Sequence, residues 1–471
     1  MKKLLMMTVA LAGMVLCGAD KPADKGFMAG FNQADITPPL GTPISGYYSR
    51  RAATGVLDPL LTRCLALSDG TNRALVYSVD NLHITDDIIA LIKSEITRKT
   101  GVPAGAIFIA CTHTHTGAGT RAGGVSALPE DKPVVDFANQ LLAARCADAG
   151  VRALQDLSAA SLLIGRGEAK GISFVRRFLM KDGTTRTNPG ANNPNIDHAL
   201  GEPDEQLQLV RFVRPGKKEI ALVNFQCHPD VIGGTKFSGD WPGLSCRYLK
   251  DAMGGEIEVL FINGAQGDTN HCIVHPRPGH TAPKGYAHAN HMARVVAGAA
   301  LATWSTCVPV AAGKVQATVV GVKVRHNKGT PEQEVLAEKW VALHKAGKAA
   351  EIPGVGMERT SNTAMAYRVL ELKDKPDEID LPVSVVSVGQ SLVLGGFPGE
   401  PFTWMGTEMK RRSPFAMTIP ACCCNGSRGY FPVKSAYGPG GYENATSRFA
   451  AGTAEGLVDG IVKQIETFYA R

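Results

Sequence analysis

His113 and His115 stand two residues apart at the end of an apolar run in the segment AIFIACTHTHTGAG, residues 106–119. Ile107 to Cys111 reads as a buried strand. Side chains at i and i+2 of a strand face the same way. The spacing therefore predicts two imidazoles converging at the carboxyl end of a strand, where α/β folds place their chemistry. Imidazole is a common zinc ligand. The same residues also read as two hydrogen-bonded polar side chains with no chemical role. Three further apolar runs end alike: at His228 in FQCHPD, at Asp268 with Thr269 and Asn270 in NGAQGDTN, and at Glu400 in GGFPGEP. Singly, His228 is a strand-end histidine and Glu400, extended by the following Pro401, a loop glutamate. Jointly they are metal-ligand and acid–base residue types on strand ends, joined by glycine-rich turns that let the chain crowd around one point.

The elements that position these residues alternate along the chain. Residues 64–82 read as a hairpin around Asp69-Gly70. Residues 84–101 read as a helix, with acidic residues early, basic residues late and Gly101 as a stop. A second amphipathic helix covers 132–156, and a strand pair covers 207–229 around Pro215-Gly216. Asp240 is an N-cap candidate before a helix with an early proline. Residues 257–268 form another buried strand running into small residues, 381–400 a hairpin ending at Glu400, and 448–470 a closing helix. Residues 327–380 carry charged helical patterns and read as a possible helical insertion. No internal repeat is visible. The pattern predicts an α/β fold, a mixed β-sheet core covered by helices, in one large domain over residues 28–471.

The bulk properties narrow the function. The chain has 471 residues, 44% of them hydrophobic and 20% charged, which is ordinary for a globular protein and excludes disorder, collagen and coiled coil. The net charge of +7 is scattered rather than clustered, so no nucleic-acid surface is read. Met1-Lys2-Lys3, an apolar run from Leu4 to Leu16 and the small residues Gly18 and Ala19 form a signal peptide over 1–19. Export to a periplasmic or extracellular space follows. Lipid attachment through Cys17 is the lesser alternative, because Leu16 is larger than that signal favours. No later apolar run reaches the ~18 residues a membrane span needs, which leaves only peripheral membrane contact. Ten cysteines follow the leader, and spacing does not assign disulfides among them. The adjacent Cys422-Cys423-Cys424 matches no zinc knuckle and reads as a buried cluster. The histidines of GHTAPKGYAHANH (279–291) read as a solvated loop.

Taken in order, these blocks resemble the neutral/alkaline (non-lysosomal) ceramidases, zinc-dependent amidases that cleave the N-acyl bond of ceramide. The resemblance runs from about residue 30 to about 450. THTHTG (112–117) is similar to the family's THTHSG, FQCHP (225–229) to its strand ending in His-Pro, and SGDWPG (238–243) to its SSDN block. NGAQGD (263–268) resembles the N-x-G-D loop and FPGEPFTWMG (397–406) the PGEFT block. Asn425, Tyr430, Tyr437 and Tyr442-Glu443 reproduce the spacing of its tyrosine-rich block. Carried over, the resemblance implies one zinc per chain held by His113, His228, Glu400 and Tyr430. It makes His115 the group that moves a proton, and Arg176 in FVRRF the group that holds the carbonyl oxygen. Two departures stand out. Asn270 occupies the place of the family's loop serine and Thr269 is the nearest hydroxyl, so attack by zinc-activated water is expected rather than by serine, with Asn270 bonding substrate or water. The tyrosine block is followed by no counterpart of the family's C-terminal immunoglobulin-like domain, so the substrate is ceramide or another small-molecule or lipid N-acyl compound. Three other readings compete: a TIM-barrel amidohydrolase or esterase on a non-lipid substrate, a binuclear metallophosphatase, and an exported binding protein that has lost catalysis.

Overall fold

The computed structural model describes residues 26–122, 127–275 and 283–471. The signal peptide expected at 1–19, and residues 279–282 of the histidine-rich stretch, lie outside them. The described chain builds one arrangement three times over. Unit one has strands β1 (Met28–Asp35), β2 (Leu61–Ser68), β3 (Arg73–Val79), β4 (Ile107–Cys111) and β5 (Ser158–Ala159), with helices α1 (Asp86–Thr100) and α2 (Lys132–Gln155). Strands β1 to β3 form an antiparallel meander, α1 crosses over, and β4 returns parallel to β3. Helix α2 follows, and β5 pairs back onto β1. Unit two repeats this with β6 (Ser161–Glu168), β7 (Gln206–Val213), β8 (Glu219–Phe225), α3 (Asp240–Ala252), β9 (Ile257–Asn263), α4 (Gly285–Trp304) and β10 (Val308–Val310). Unit three has β11 (Val315–Arg325), β12 (Glu378–Val388), β13 (Leu392–Gly396) and β14 (Met417–Ala421) in the same pairing. Its helices are α5 (Pro331–Lys345), α6 (Met357–Leu372), α7 (Thr403–Arg412), α8 (Tyr442–Thr446) and α9 (Thr453–Tyr469). The α5–α6 pair lies between the first two strands of unit three and has its own small core of Ala337, Val341, Ala366 and Val369. Among the described residues, no helix is long and apolar enough to cross a membrane.

The expected mixed α/β architecture is thus present, among the described residues, in three main sheets rather than one, with four smaller sheets beside them. One face of each sheet joins a common core, to which unit one gives Leu65, Val76 and Phe108, unit two Val210, Leu222 and Leu260, and unit three Val386, Leu394 and Ile419. The other faces are covered by α1 with α2, α3 with α4, and α7 with α9. Strand β4 shows why its sequence lacks alternation. Phe108 and Ala110 face the common core while Ile107, Ile109 and Cys111 face the helices, so both faces are dry. Full burial of Phe108 contributes about 1.5–3 kcal/mol. The repeat went unseen in sequence because what recurs is pairing and burial, not residue identity.

Two local expectations change. Asp240 does not cap α3 from outside. Gly239 holds that position, and Asp240 is the first helical residue, with a left-handed φ of 52°. Its carboxylate accepts the amides of Ile232 and Trp241, tying the loop after β8 to the helix start. In the stretch read as a loop at 279–291, residues from Gly285 onward are helical and begin α4, because Ala289, Met292, Ala293 and Val296 supply a buried face.

Candidate metal centre

The third and fourth strands of each unit run parallel, and their carboxyl ends deliver the chemistry-bearing residues. His113 and His115 follow β4, His228 follows β8, and Glu400 follows β13. The two histidines do not converge by strand alternation, as the spacing predicted. Strand β4 ends at Cys111, and His113 leaves it with a left-handed φ of 73°, a conformation that costs a non-glycine residue about 1–2 kcal/mol. The turn is held by the amides of Thr112 and His113, which donate to the carbonyls of Val79 and Asn81. The rings still meet, with centroids 5.1 Å apart. Glu400 and Tyr430 are brought together differently: Glu400–Pro401 pairs in parallel with Tyr430–Phe431, and these two residues are register partners.

The result is a compact set of donors. His113 Nε2 lies 3.3 Å from His228 Nε2, and Glu400 Oε2 lies 3.2 Å from each. Tyr430 Oη is 3.4 Å from His228 Nε2. The tautomers are fixed from behind. His113 Nδ1 donates to the carbonyl of Leu82 at 2.8 Å, and His228 Nδ1 to that of Gln266 at 2.9 Å. Both Nε2 atoms then turn lone pairs toward Glu400 Oε2, a buried oxygen with no hydrogen-bond partner. Neutral imidazoles with their far nitrogens bonded to backbone carbonyls are the usual form of metal ligands. A tetrahedron of N and O donors with bonds of about 2.0–2.1 Å has edges of about 3.3–3.4 Å, and four of the six donor separations are 3.2–3.4 Å. The residues present therefore fit a zinc ion. His113, His115 and His228 also form a group close enough to share a metal, and both His115 nitrogens are buried and without hydrogen-bond partners.

Electrostatics within the protein sharpen the picture. Burial opposes charge on Glu400, yet His113 and His228 hold its carboxyl well below the usual range. Burial also opposes charge on His113, and Glu400 overrides it, raising that pKa. His228 and His115 are both lowered, first by burial. Burial and Glu400 raise the Tyr430 phenol, and Arg176 works against them.

The other predicted site residues take separate places. Arg176 is buried, with its Nε on Glu443 at 2.8 Å, an Nη on the carbonyl of Gly267 at 2.8 Å, and its guanidinium 5.3 Å from the centre of the Tyr430 ring. Thr269 and Asn270 pair with Val175 and Phe174 and so set the position of the arginine. Their side chains are committed elsewhere: Thr269 to the carbonyl of Gln266, Asn270 to Asn188 and the amide of Cys272. Asp268 accepts both the amide and hydroxyl of Thr403 and anchors the start of α7.

The sequence did not show how several residues support the cluster, although Cys422 to Cys424 are buried as expected. Asn263 donates to the carbonyls of Thr112 and Cys227, each one residue before a histidine of the cluster. Glu443 holds Arg176, Arg177 and Thr187 together. Cys422 to Cys424 form a seam whose amides bond to Asn263, Gly399 and Phe397, with Cys423 Sγ 3.4 Å from His113 Nδ1. A lone polar residue ending an apolar strand was the signal available for Asn263.

No protein-family profile matches the chain, and no curated protein matches it in sequence. Among solved structures, neutral ceramidase from Pseudomonas aeruginosa superposes with a TM-score of 0.73 at 16% identity, over 95% of this chain and 75% of that one. The chain has the fold of neutral ceramidase. A structure described as ceramidase complexed with C2 gives a TM-score of 0.69 at 16% identity, over 95% of this chain and 76% of that one. The ceramidase fold is distinct from the eight parallel strands of a TIM barrel, since each unit begins with an antiparallel meander.

Proposed function

We propose that this protein is an exported, zinc-dependent hydrolase that cleaves the N-acyl amide bond of ceramide or a related N-acyl compound. The observation that carries the reading is the set of buried donors, His113, His228, Glu400 and Tyr430, with neighbouring donor atoms 3.2–3.4 Å apart. The ceramidase fold supports an amide rather than another acyl bond. An ion in this place supplies Lewis acidity, making water nucleophilic near neutral pH and polarising an amide carbonyl.

The chain's own residues do the rest. His115, kept neutral by burial, takes a proton as water attacks and passes it to the departing amine. Arg176, immobilised by Glu443 and Gly267, holds a fixed positive charge against Tyr430 and stabilises negative charge gathering on the carbonyl oxygen. Thr269 and Asn270 act through the loop they hold, which supplies the Gln266 carbonyl behind His228. The leader at 1–19 directs export and is cleaved.

The test is metal content by mass spectrometry on wild type, His113→Ala and Glu400→Ala, with hydrolysis of a panel of N-acyl amides followed on the same samples. One zinc per wild-type chain is expected, with metal and activity lost together in both variants. A wild type that takes up no zinc on reconstitution overturns the proposal and favours a binding protein.

A further inference from the structure

One element that the functional reading has not used lies against His115 at the candidate centre. Both nitrogens of His115 and Oε2 of Glu400 are buried. Above them runs a hairpin from Pro43 to Ala52, closed at its base by the Pro43–Ala52 bridge and the bond from the Ile44 amide to the Arg51 carbonyl. Its tip passes directly over the histidine. Gly46 has a φ of 116°, and a Cβ there would lie 2.8 Å from His115 Nδ1 and 2.9 Å from Cγ. The ring of Tyr47 stands edge-on to His115 at 5.6 Å.

The hairpin is pinned in two unequal ways. At the base, Arg51 donates to the carbonyls of Ser45, His115 and Gly234 and stacks on Tyr47 at 4.2 Å. One side chain thus joins the hairpin, the histidine segment and the loop after β8. Beyond the base the pins are separate side-chain contacts. Arg50, 39% exposed, forms a two-bond pair with Asp131 before α2. The Tyr48 carbonyl accepts from His344 on α5. The Tyr48 hydroxyl, buried, adds a bond to Tyr442. The tip is thus held by contacts to single side chains, whereas the base is tied to three backbone carbonyls.

We infer that this hairpin is a hinged gate that sets which N-acyl compounds reach the site: the tip must lift on the Arg51 base to admit substrate, and further for a long acyl chain than for a short one. The choice of substrate rests on the function proposed above, but the gate itself does not. Helices α5 and α6 act on it through His344, so the insertion in unit three becomes part of substrate selection.

The experiment has two readouts on zinc-loaded protein: wild type, Arg50→Ala and His344→Ala, which act on separate pins. Modification by diethyl pyrocarbonate, mapped by peptide mass spectrometry, reports access to His115, with exposed His198 as an internal reference. Slow labelling of His115 is expected in wild type, rising about two- to fivefold in either variant, the range a surface contact of up to about 1 kcal/mol allows, with His198 unchanged. In parallel, the ratio of kcat/KM for an N-hexadecanoyl amide to that for the N-acetyl amide of the same amine rises in both variants. Wild-type His115 as reactive as His198, or labelling unaltered in both variants, overturns the gate. If labelling responds but no amide is hydrolysed, the gate stands and the proposed function falls. If labelling responds while both chain lengths gain equally, selection by size is refuted.

Discussion

Asp80 and Glu400 are two buried carboxylates in corresponding topological places, and they have opposite surroundings. Asp80 follows the third strand of unit one, and Glu400 follows the third strand of unit three. Asp80 is closed: Arg63 Nη1 donates to both its oxygens at 3.0 Å, the Leu61 amide adds a bond at 3.0 Å, and the side-chain exposures of Arg63 and Asp80 are 4% and 0%. Glu400 is open: its Oε2 has no donor and faces the lone pairs of two imidazoles at 3.2 Å. A buried charge survives only when paired, bonded or bound to a metal. The first carboxylate meets that condition with a dedicated arginine, and the second only through the histidines of the candidate centre. Completeness of bonding, rather than residue type or burial, separates a strut from a site.

The comparison predicts opposite failures. Glu400→Gln keeps shape and turns an acceptor into an amide donor facing imidazole lone pairs. It should lose bound zinc and about 10⁴-fold in kcat/KM, about 5.5 kcal/mol, while the metal-free variant is at least as stable to urea as the metal-free wild type. Arg63→Ala strands Asp80 as an unpaired buried charge. It should cost about 3–5 kcal/mol of stability, seen as a lower urea midpoint, with metal content unchanged in the folded fraction. Equal destabilisation of the two metal-free variants would break the distinction.

Arg176→Lys tests the boundary between the two kinds of region, because this arginine is bonded like a strut but leans on Tyr430. Lysine keeps the charge and loses the fork that engages Glu443 and Gly267 together. A loss of about 10–100-fold in kcat with zinc retained is expected. A loss of stability with kcat unchanged would place Arg176 with Arg63.

The smallest effect concerns a third pair, His271 with Asp230, at 3.0 Å. Burial opposes charge on His271, but Asp230 overrides it and pushes the pKa up to about 10. An unfolded histidine titrates near 6.5. The folded state therefore binds the extra proton between these values, and the stabilisation is full below about pH 6.5 and fades as pH rises through 10. The stability gap between wild type and His271→Gln, measured by urea unfolding, should narrow over that interval. A gap independent of pH would show that the pair is held by packing alone.

Much of the site was legible along the chain because catalytic residue types ended apolar runs. His113, His115, His228 and Glu400 were singled out in this way, but their convergence depends on the left-handed turn at His113 and its backbone bonds. Tyr430 and Arg176 came from block resemblance instead, since neither follows a strand that marks it. The supports were not legible. The carbonyls of Leu82 and Gln266 belong to residues of no special type, and the clasp of Asn263 joins segments more than thirty residues away on either count. Asp240 looked like a helix cap because its residue type suits one, but a partner amide at Ile232 claimed it.

The sequence by itself determined the strands, the helices and the polar residues at their ends, because hydrophobic run length and chemical type are local properties. Tertiary structure alone decided that there are three sheets around one core, that Asp80 is closed while Glu400 is open, and that a hairpin sixty-odd residues upstream covers His115. Each of these depends on which backbone and side-chain groups from distant segments arrive to satisfy a buried donor or acceptor. That pairing is set by packing of the three units, and no single segment carries it.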